Sequence, residues 1–257
     1  MIGWLRRTLS FSRFTVKEYV RSGRVLVEIM ALVIGLWLFF LPQIKDGLDA
    51  TYFFGVAGLL IPALAAVTTV LIMRLGNRPQ GYVVLGRRLG RAGYLFGLYL
   101  SATFITLLSY ALLLLVVLVG SRLINPVVIS PVTWAQGTLP LMLNAGIVAA
   151  FVMILMPLLL PDWMRLLVLV SFLAVGVSGL SKEYGLFESS NLGGLLERAA
   201  DLLAIAITPV ARGYMLATSH AYDSLAVETL LIQLGMVLIL LGLALMMFCR
   251  REIIFRS

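Results

Sequence analysis

The chain has 257 residues, of which 61% are hydrophobic and only 12% are charged. Soluble domains carry about 25% charged residues, so this composition excludes a water-soluble globular protein and makes lipid the solvent for much of the surface. The net charge of +8 indicates a membrane surface rather than nucleic acid as partner, because the basic residues flank apolar runs. We expect a single membrane domain over residues 1–257 and no nucleic-acid partner.

One cysteine and one histidine limit the chemistry that the chain offers. Cys249 forms no internal disulfide and no thiolate cluster, and His220 alone supplies no paired haem ligands. The sequence also lacks a GxxxxGKS/T phosphate loop, an HExxH motif and a GxSxG motif. We therefore expect no catalytic residue, no metal and no cofactor. Cys249 is interpreted as a small apolar residue, and His220 as part of an exposed loop.

Residues 1–24 are predicted to form an amphipathic helix that lies at the membrane interface. At about 100° per residue, most basic side chains fall on one face and most apolar side chains on the other. The basic face consists of Arg6, Arg13, Lys17, Arg21 and Arg24, and the apolar face of Trp4, Leu5, Leu9, Val16, Tyr19 and Val20.

Six apolar stretches approach the roughly 20 residues that a helix needs to cross a bilayer. They predict an all-α integral membrane fold with six transmembrane helices. A further span through residues 199–218 is not expected, because it would bury Asp201 and Arg212. The six predicted spans are Val25–Leu41, Tyr52–Met73, Tyr94–Val119, Leu141–Leu160, Leu166–Leu180 and Leu230–Phe248.

Residues 74–91 join the second and third spans and carry five arginines but no acid. Asn77 is a suitable N-cap and Pro79 a suitable first-turn residue, so we expect a short helix here. One interpretation is that this basic helix is a cytoplasmic docking element through which another protein exerts force on the spans. The alternative is that the arginines only fix the topology and bind anionic lipid.

Residues 181–228 are predicted to lie on the other side of the membrane and to be more than a plain loop. A helix is expected from about Leu192, with a break at Thr208–Pro209 and a second short helix at about Val210–Ser219. Neither helix is long enough to cross a bilayer, so we expect both to dip into the outer leaflet or to lie on it.

Polar residues within the spans are few, and most of them are uncharged. We consider four of them candidates for a translocation path, the alternative being that they hydrogen-bond neighbouring helices or their own backbone. Glu28 lies one turn inside the first span, and we interpret it as pairing with Arg24 rather than as an ion-coupling site. The four path candidates are Thr68, Thr69, Ser109 and Asn144.

Two pairs of glycines predict close helix packing. Gly93 and Gly97 form a GxxxG motif at the start of the third span, and Gly235 and Gly242 recur at a heptad spacing in the last span. The spacing does not identify the partner helix in either case.

The basic residues also predict the orientation. With the N-terminus inside, fifteen of the twenty Lys and Arg residues lie on the inner side. We therefore expect a multi-pass protein of the cell (plasma) membrane with its N- and C-termini in the cytoplasm.

This order of elements resembles the permease subunits of type-2 ABC exporters, and the resemblance covers essentially the whole chain. The residues that carry it are the basic helix at 2–22, the loop RPQGYVVLGRRLGR at 78–91, the break ITPVARGYMLA at 207–217 and the ending CRREI at 249–253. Each local motif is weak, and the order of the elements is the stronger signal.

The resemblance implies that this chain moves a substrate outward while separate ABC ATPase subunits hydrolyse ATP. It also implies a second permease subunit, in a homodimer or heterodimer, that meets this chain at about residues 25–41 and 166–180. The mild polarity of the spans favours an amphipathic or lipid-like substrate. The residues expected to couple to the ATPase are Arg78, Gln80, Tyr82, Leu85, Arg87 and Arg88, and those of the interfacial helix expected at membrane lipid are Arg6, Arg13, Lys17 and Arg21.

Two other functions compete with this one. A non-transporting membrane anchor, or a structural subunit of a larger membrane complex, fits the nearly uncharged spans equally well. A membrane enzyme acting on lipid would need acidic, His or Cys residues clustered at an interface. The inner carboxyls are scattered, whereas the outer side offers Glu183, Glu188, Glu197, Asp201, His220 and Asp223.

Overall fold

A computed structural model describes residues 2–46, 48–76, 89–124, 130–156, 208–220 and 222–250. Within these residues the chain is helical with short connections, and they include no strand. The elements are α1 (Ile2–Arg21), α2 (Val25–Gly35), a π-helical turn (Leu36–Phe40), α3 (Leu41–Asp46), α4 (Ala50–Gly76), α5 (Gly90–Ile124), α6 (Pro131–Leu155), α7 (residues 208–219) and α8 (Ser224–Arg250).

Five helices in this part of the chain are long and apolar enough to cross a bilayer, with mean hydropathies between 2.1 and 2.6. They make the chain a multi-pass membrane protein by length and composition. The predicted span at Leu166–Leu180, most of the loop at 74–91 and the first helix of the 181–228 segment lie outside the described residues. The five spans are Val25–Ile44, Ala50–Gly76, Gly90–Ser121, Pro131–Leu155 and Ser224–Arg250.

The outward faces of the spans are apolar. Trp37 is 67% exposed and Ile239 is 71% exposed, which water would penalise and lipid would not. Gly235 and Gly242 lie on α8 with no described atom within 4 Å of a Cβ built on either. The close packing predicted at these two glycines therefore stays a prediction.

The first span continues through a π-helical turn at Leu36–Phe40. The N–H of Leu41 reaches back five residues to the carbonyl of Leu36, which widens the helix by one residue. The hydroxyl of Tyr52 donates to the carbonyl of Phe39 at 3.0 Å, so α4 supplies a donor to the widened turn.

The fourth span begins earlier than predicted, at Pro131 rather than at Leu141. Ser130 caps the helix, since its Oγ accepts a hydrogen bond from the N–H of Val132 at 3.2 Å. Pro131 follows in the first turn, where its missing N–H has no intrahelical partner to lose. The predicted start at Leu141 lies directly after Pro140, which the structure places inside the helix.

The same span also ends earlier than predicted, at Leu155 rather than at Leu160. Met156 adopts an extended conformation with ψ of 150°, because the ring of Pro157 disfavours a helical conformation in the residue before it.

The last span begins earlier than predicted, at Ser224 rather than at Leu230, and Asp223 directly precedes it. The Asp223 carboxylate accepts a hydrogen bond from the first turn of α8.

The two ends of the helix bundle are distinct. The Tyr94 hydroxyl donates to the carbonyl of Gly76 at 2.5 Å, which brings the start of α5 to the end of α4. The Arg91 guanidinium donates to the carbonyl of Cys249 at 3.1 Å, which brings the end of α8 to the same place. We call this end of the bundle the basic end, because it also holds Arg24, Arg74 and Arg250.

The opposite end is aromatic. Phe53 at the start of α4 lies 4.8 Å from Trp134 and 5.5 Å from Phe40, measured between ring centroids. Phe54 packs beside them and is fully buried. One hydrophobic core therefore surrounds these rings, and a second core fills the basic end around residues such as Tyr94 and Phe248.

Helix α1 packs along the start of α5. A Cβ on Gly97 would lie only 2.6 Å from the ring of Phe11, and Gly93 is approached by the same helix. One turn further along, Ser101 Oγ lies 3.1 Å from Ser12 Oγ. The close packing predicted at Gly93 and Gly97 is confirmed, and α1 is the partner helix.

Candidate functional site

Buried polar side chains form two clusters inside the bundle. Glu28 on α2 is the centre of the first, and it is only 1% exposed. Its Oε1 accepts a hydrogen bond from the Tyr19 hydroxyl at 2.7 Å and another from Thr68 Oγ1 at 2.5 Å. Both distances are those of hydrogen bonds from a hydroxyl to a carboxyl oxygen. We call Tyr19, Glu28 and Thr68 the carboxyl cluster, and it ties α1, α2 and α4 together.

The hydrogen-bond donors to Glu28 are Tyr19 and Thr68, which the sequence did not indicate. The Arg24 guanidinium donates to the carbonyl of Leu71 at 2.6 Å, and the pairing of Glu28 with Arg24 stays a prediction. Gly23, which has a φ of +75°, turns the chain between α1 and α2 and allows the last turn of α1 to fold back over Glu28. The sequence gives no local sign of this, because Tyr19 was assigned to the apolar face of α1.

The two oxygens of the Glu28 carboxyl have different surroundings. Oε1 has two donors, whereas Oε2 is buried and has no hydrogen-bond partner among the described residues. Burial, and then the Glu28 carboxyl, raise the pKa of the Tyr19 hydroxyl above its ordinary value, so the phenol keeps its proton and remains a donor. An unpaired buried carboxyl oxygen is costly, and the cost is larger when the carboxyl is charged.

The second cluster lies deeper in the bundle and contains no charge. The Asn144 side-chain amide donates to the carbonyl of Val210 at 2.9 Å. Gln233 Nε2 donates to Asn144 Oδ1 at 2.7 Å and to the carbonyl of Pro140 at 3.3 Å. Gln233 Oε1 is buried without a hydrogen-bond partner in the described part of the chain. We call Asn144, Gln233 and these two carbonyls the amide cluster, and it joins α6, α7 and α8.

Gly213 allows α7 to approach this cluster. A Cβ on Gly213 would overlap the amide of Gln233 and would lie 3.0 Å from Asn144 Oδ1. On the neighbouring face of α7, the ring of Tyr214 lies against Gly58 of α4, where a Cβ would be 2.6 Å from the ring. Small residues at Gly213 and Gly58 therefore let a short helix enter between three spans.

The depth of α7 follows from these contacts. Its first turn lies beside Asn144, near the middle of α6, and the chain that follows it reaches the aromatic end. There the ring of His220 lies 5.2 Å from that of Phe54, and the Tyr222 hydroxyl donates to the carbonyl of Gln136 at 2.6 Å. The described helical residues 208–219 include those of the helix predicted at Val210–Ser219.

The four candidates for a translocation path have different surroundings. Thr68 belongs to the carboxyl cluster and Asn144 to the amide cluster. Thr69 bonds the carbonyl of Ala65 in its own helix at 2.6 Å, and Ser109 is buried. The hydrogen bonds of these residues match the alternative of interhelical and backbone bonding, and the path itself stays a prediction.

The other predicted site residues fall into two groups. The expected ATPase-coupling residues, between Arg78 and Arg88, lie outside the described residues. The basic residues of α1 are all exposed along one face. The buried face of the same helix, against α5, is polar rather than apolar, so α1 has a basic, an apolar and a protein-facing side. The exposed basic residues are Arg6, Arg13, Lys17 and Arg21; the exposed apolar ones are Leu5, Leu9, Phe14 and Val20; the buried ones are Thr8, Ser12, Thr15 and Tyr19.

His220 lies in the connection after α7, as predicted, but it is half-buried rather than exposed. It has a φ of 55°, its N–H donates to the carbonyl of Leu216 at 3.2 Å, and its Nε2 is buried. Sequence reasoning also missed Gln233 as a site residue. The available signal was that Gln233 is the one amide side chain between Leu230 and Phe248.

Comparison of the chain with protein-family models, curated proteins and solved structures gave no match. Within the described residues, no three His, Cys, Asp or Glu side chains come together to hold a metal ion. The side chains of both clusters form hydrogen bonds, and the carboxyl cluster also contains one titratable carboxyl, that of Glu28. Each cluster attaches a further helix to the spans, the carboxyl cluster attaching α1 and the amide cluster attaching α7.

Proposed function

We propose that this chain is the membrane-spanning permease subunit of an ATP-driven type-2 ABC exporter, with ATP hydrolysed by separate subunits. The observation that carries the proposal is the attachment of α1. This helix exposes Arg6, Arg13, Lys17 and Arg21, while its other side is fixed to α5 by close packing and to α2 and α4 through the carboxyl cluster. A basic helix held in this way transmits a force at the membrane surface to three spans at once.

Two further features support the proposal. Helix α7 lies in the segment where the resemblance implies short outer helices, and its residue Val210 bonds Asn144 inside the bundle. The outward face of α2 is apolar over residues 25–41, where a second permease subunit is expected to bind. In this function the mild polarity of Thr68, Thr69, Ser109 and Asn144 favours an amphipathic or lipid-like substrate over a highly charged one.

The test is charge reversal at the proposed coupling loop. The tagged full-length chain is purified in mild detergent together with any subunit that accompanies it, and ATPase activity is measured. We expect an ABC ATPase to co-purify. The Arg87→Glu/Arg88→Glu variant should lose most of the co-purified ATPase or lower its substrate-stimulated activity by about tenfold, the equivalent of about 1.4 kcal/mol. The matched control is Arg122→Glu/Arg212→Glu, which makes the same change in charge on the other side of the membrane.

The membrane-anchor alternative gives a different result. If a partner ATPase binds and turns over equally in both double variants, the loop is not a coupling element and the anchor is favoured. Recovery of the chain without any ATPase subunit contradicts the exporter directly.

A further inference from the structure

We propose that Glu28 is a proton-binding site, and that its protonation loosens the attachment of α1 to the spans. The proposal goes beyond the exporter function and does not depend on it, because it concerns only contacts within this chain. Three observations carry it: the near-complete burial of Glu28, the two donors on Oε1 and the unpaired Oε2.

The asymmetry of the carboxyl explains why a proton would bind. In the ionised state both donors stabilise Oε1, but the negative charge is shared with an oxygen that has no donor. A proton taken from water adds to Oε2, forms an O–H bond there and removes the charge. The hydrogen bonds from Tyr19 and Thr68 then become bonds between neutral groups, which are roughly half as strong as charge-assisted ones.

The charged groups near the site are few. Arg24 lies one turn before Glu28, with its guanidinium on the carbonyl of Leu71. On α5 the charged residues are Arg91, which bonds the carbonyl of Cys249, and Arg122, which is at the other end of that helix. The only charged residue of α4 is Arg74, and the remaining charged residues of α1 are Arg6, Arg7, Arg13, Lys17, Glu18 and Arg21. Among the residues of these elements, Glu28 is thus the one buried carboxyl.

Tyr19 links the charge of Glu28 to the position of α1. It is the residue of α1 that bonds Glu28, it is fully buried, and it lies in the last turn of that helix. Weakening this bond therefore acts on α1, whereas weakening the bond from Thr68 acts between two spans. The expected consequence is that α1 is held more firmly at high pH and less firmly at low pH.

Cysteine labelling measures this attachment. In a Cys249→Ser background, the buried Thr15→Cys reports on separation of α1 from the bundle, and the exposed Ser10→Cys on the same helix is its reference. The ratio of their rates with a soluble maleimide cancels the intrinsic pH dependence of a thiol. For the full-length chain in lipid nanodiscs, we expect this ratio to rise by about tenfold from about pH 9 to about pH 5.

Three variants identify the group responsible. Glu28→Gln mimics the protonated state and should give the high ratio at every pH. Tyr19→Phe retains the carboxyl but removes the link, so it should also abolish the pH response. Glu18→Gln, which changes a partly exposed acid on α1, should retain the response of the wild type. A constant ratio in the wild type, or a pH response that survives in Glu28→Gln, overturns the proposal. Gel filtration checks the folding of each variant. If Glu28→Gln does not fold, the proposal is tested by whether Tyr19→Phe abolishes the pH response.

Discussion

Phe54 is tightly enclosed at the aromatic end. It is fully buried, it meets Phe53 edge-on at a centroid distance of 5.1 Å, and Trp134 and His220 cover it. A Cβ added to Gly137 would overlap its ring. We expect Gly137→Ala to lower the free energy of unfolding by about 1–3 kcal/mol through overpacking, measured as a lower thermal midpoint in detergent.

The control for this substitution is Gly235→Ala, where the added methyl meets no described atom within 4 Å. Alanine is the better helix former, so this variant should be neutral or stabilised by up to about 1 kcal/mol. Equal losses in both variants would show that helix propensity or lipid contact, rather than the Phe54 ring, determines the effect.

Individual residues were the hardest feature to predict from the sequence. The exposed basic face of α1 follows from helical periodicity, and the packing at Gly93 and Gly97 follows from their spacing. The partners of Glu28 do not, because Thr68 lies forty residues away and Arg24 is the nearer group by sequence. Gln233 illustrates the same difficulty, since its partners Asn144 and Pro140 lie on another helix.

Helix α6 shows how an interior proline is accommodated by a neighbouring segment. Pro140 has no N–H, so the carbonyl of Gln136, four residues earlier, loses its helical donor. The Tyr222 hydroxyl supplies a replacement at 2.6 Å. Burial raises the pKa of Tyr222, which keeps this hydroxyl protonated. The sequence predicted a helix here but placed its start at Leu141, directly after Pro140, rather than at Pro131.

A double-mutant cycle tests this compensation. Tyr222→Phe alone leaves the Gln136 carbonyl unpaired and should cost about 1–3 kcal/mol of unfolding free energy. In the Pro140→Ala background the new N–H of residue 140 bonds that carbonyl, so Tyr222→Phe should cost less by about 1 kcal/mol. Unfolding of the four proteins in one detergent measures the difference. The same cost in both backgrounds would mean that Tyr222 stabilises the protein through packing rather than through Gln136.

At the scale of the whole molecule, the ends of the helices constrain the path of the chain. Tyr99 bonds the carbonyl of Gly146 and Tyr110 bonds Thr138, so α5 and α6 are antiparallel and α6 ends at the basic end. The start of α8, by contrast, lies at the aromatic end. The chain must pass from one end to the other between α6 and α8, which the span predicted at Leu166–Leu180 would do.

Cysteine labelling of intact cells tests both this crossing and the orientation. Because basic residues are retained on the inner side, the basic end should face the cytoplasm. A membrane-impermeant maleimide should therefore label Cys249 only after permeabilisation, whereas Asp49→Cys in a Cys249→Ser background should react in intact cells. In the same background, Asp162→Cys should behave like Cys249, and Glu188→Cys like Asp49→Cys. The reverse pattern for all four positions would invert the orientation but leave the bundle unchanged. Reaction of Asp162→Cys and Glu188→Cys from one side would instead show that the chain crosses after residue 188 rather than at Leu166–Leu180.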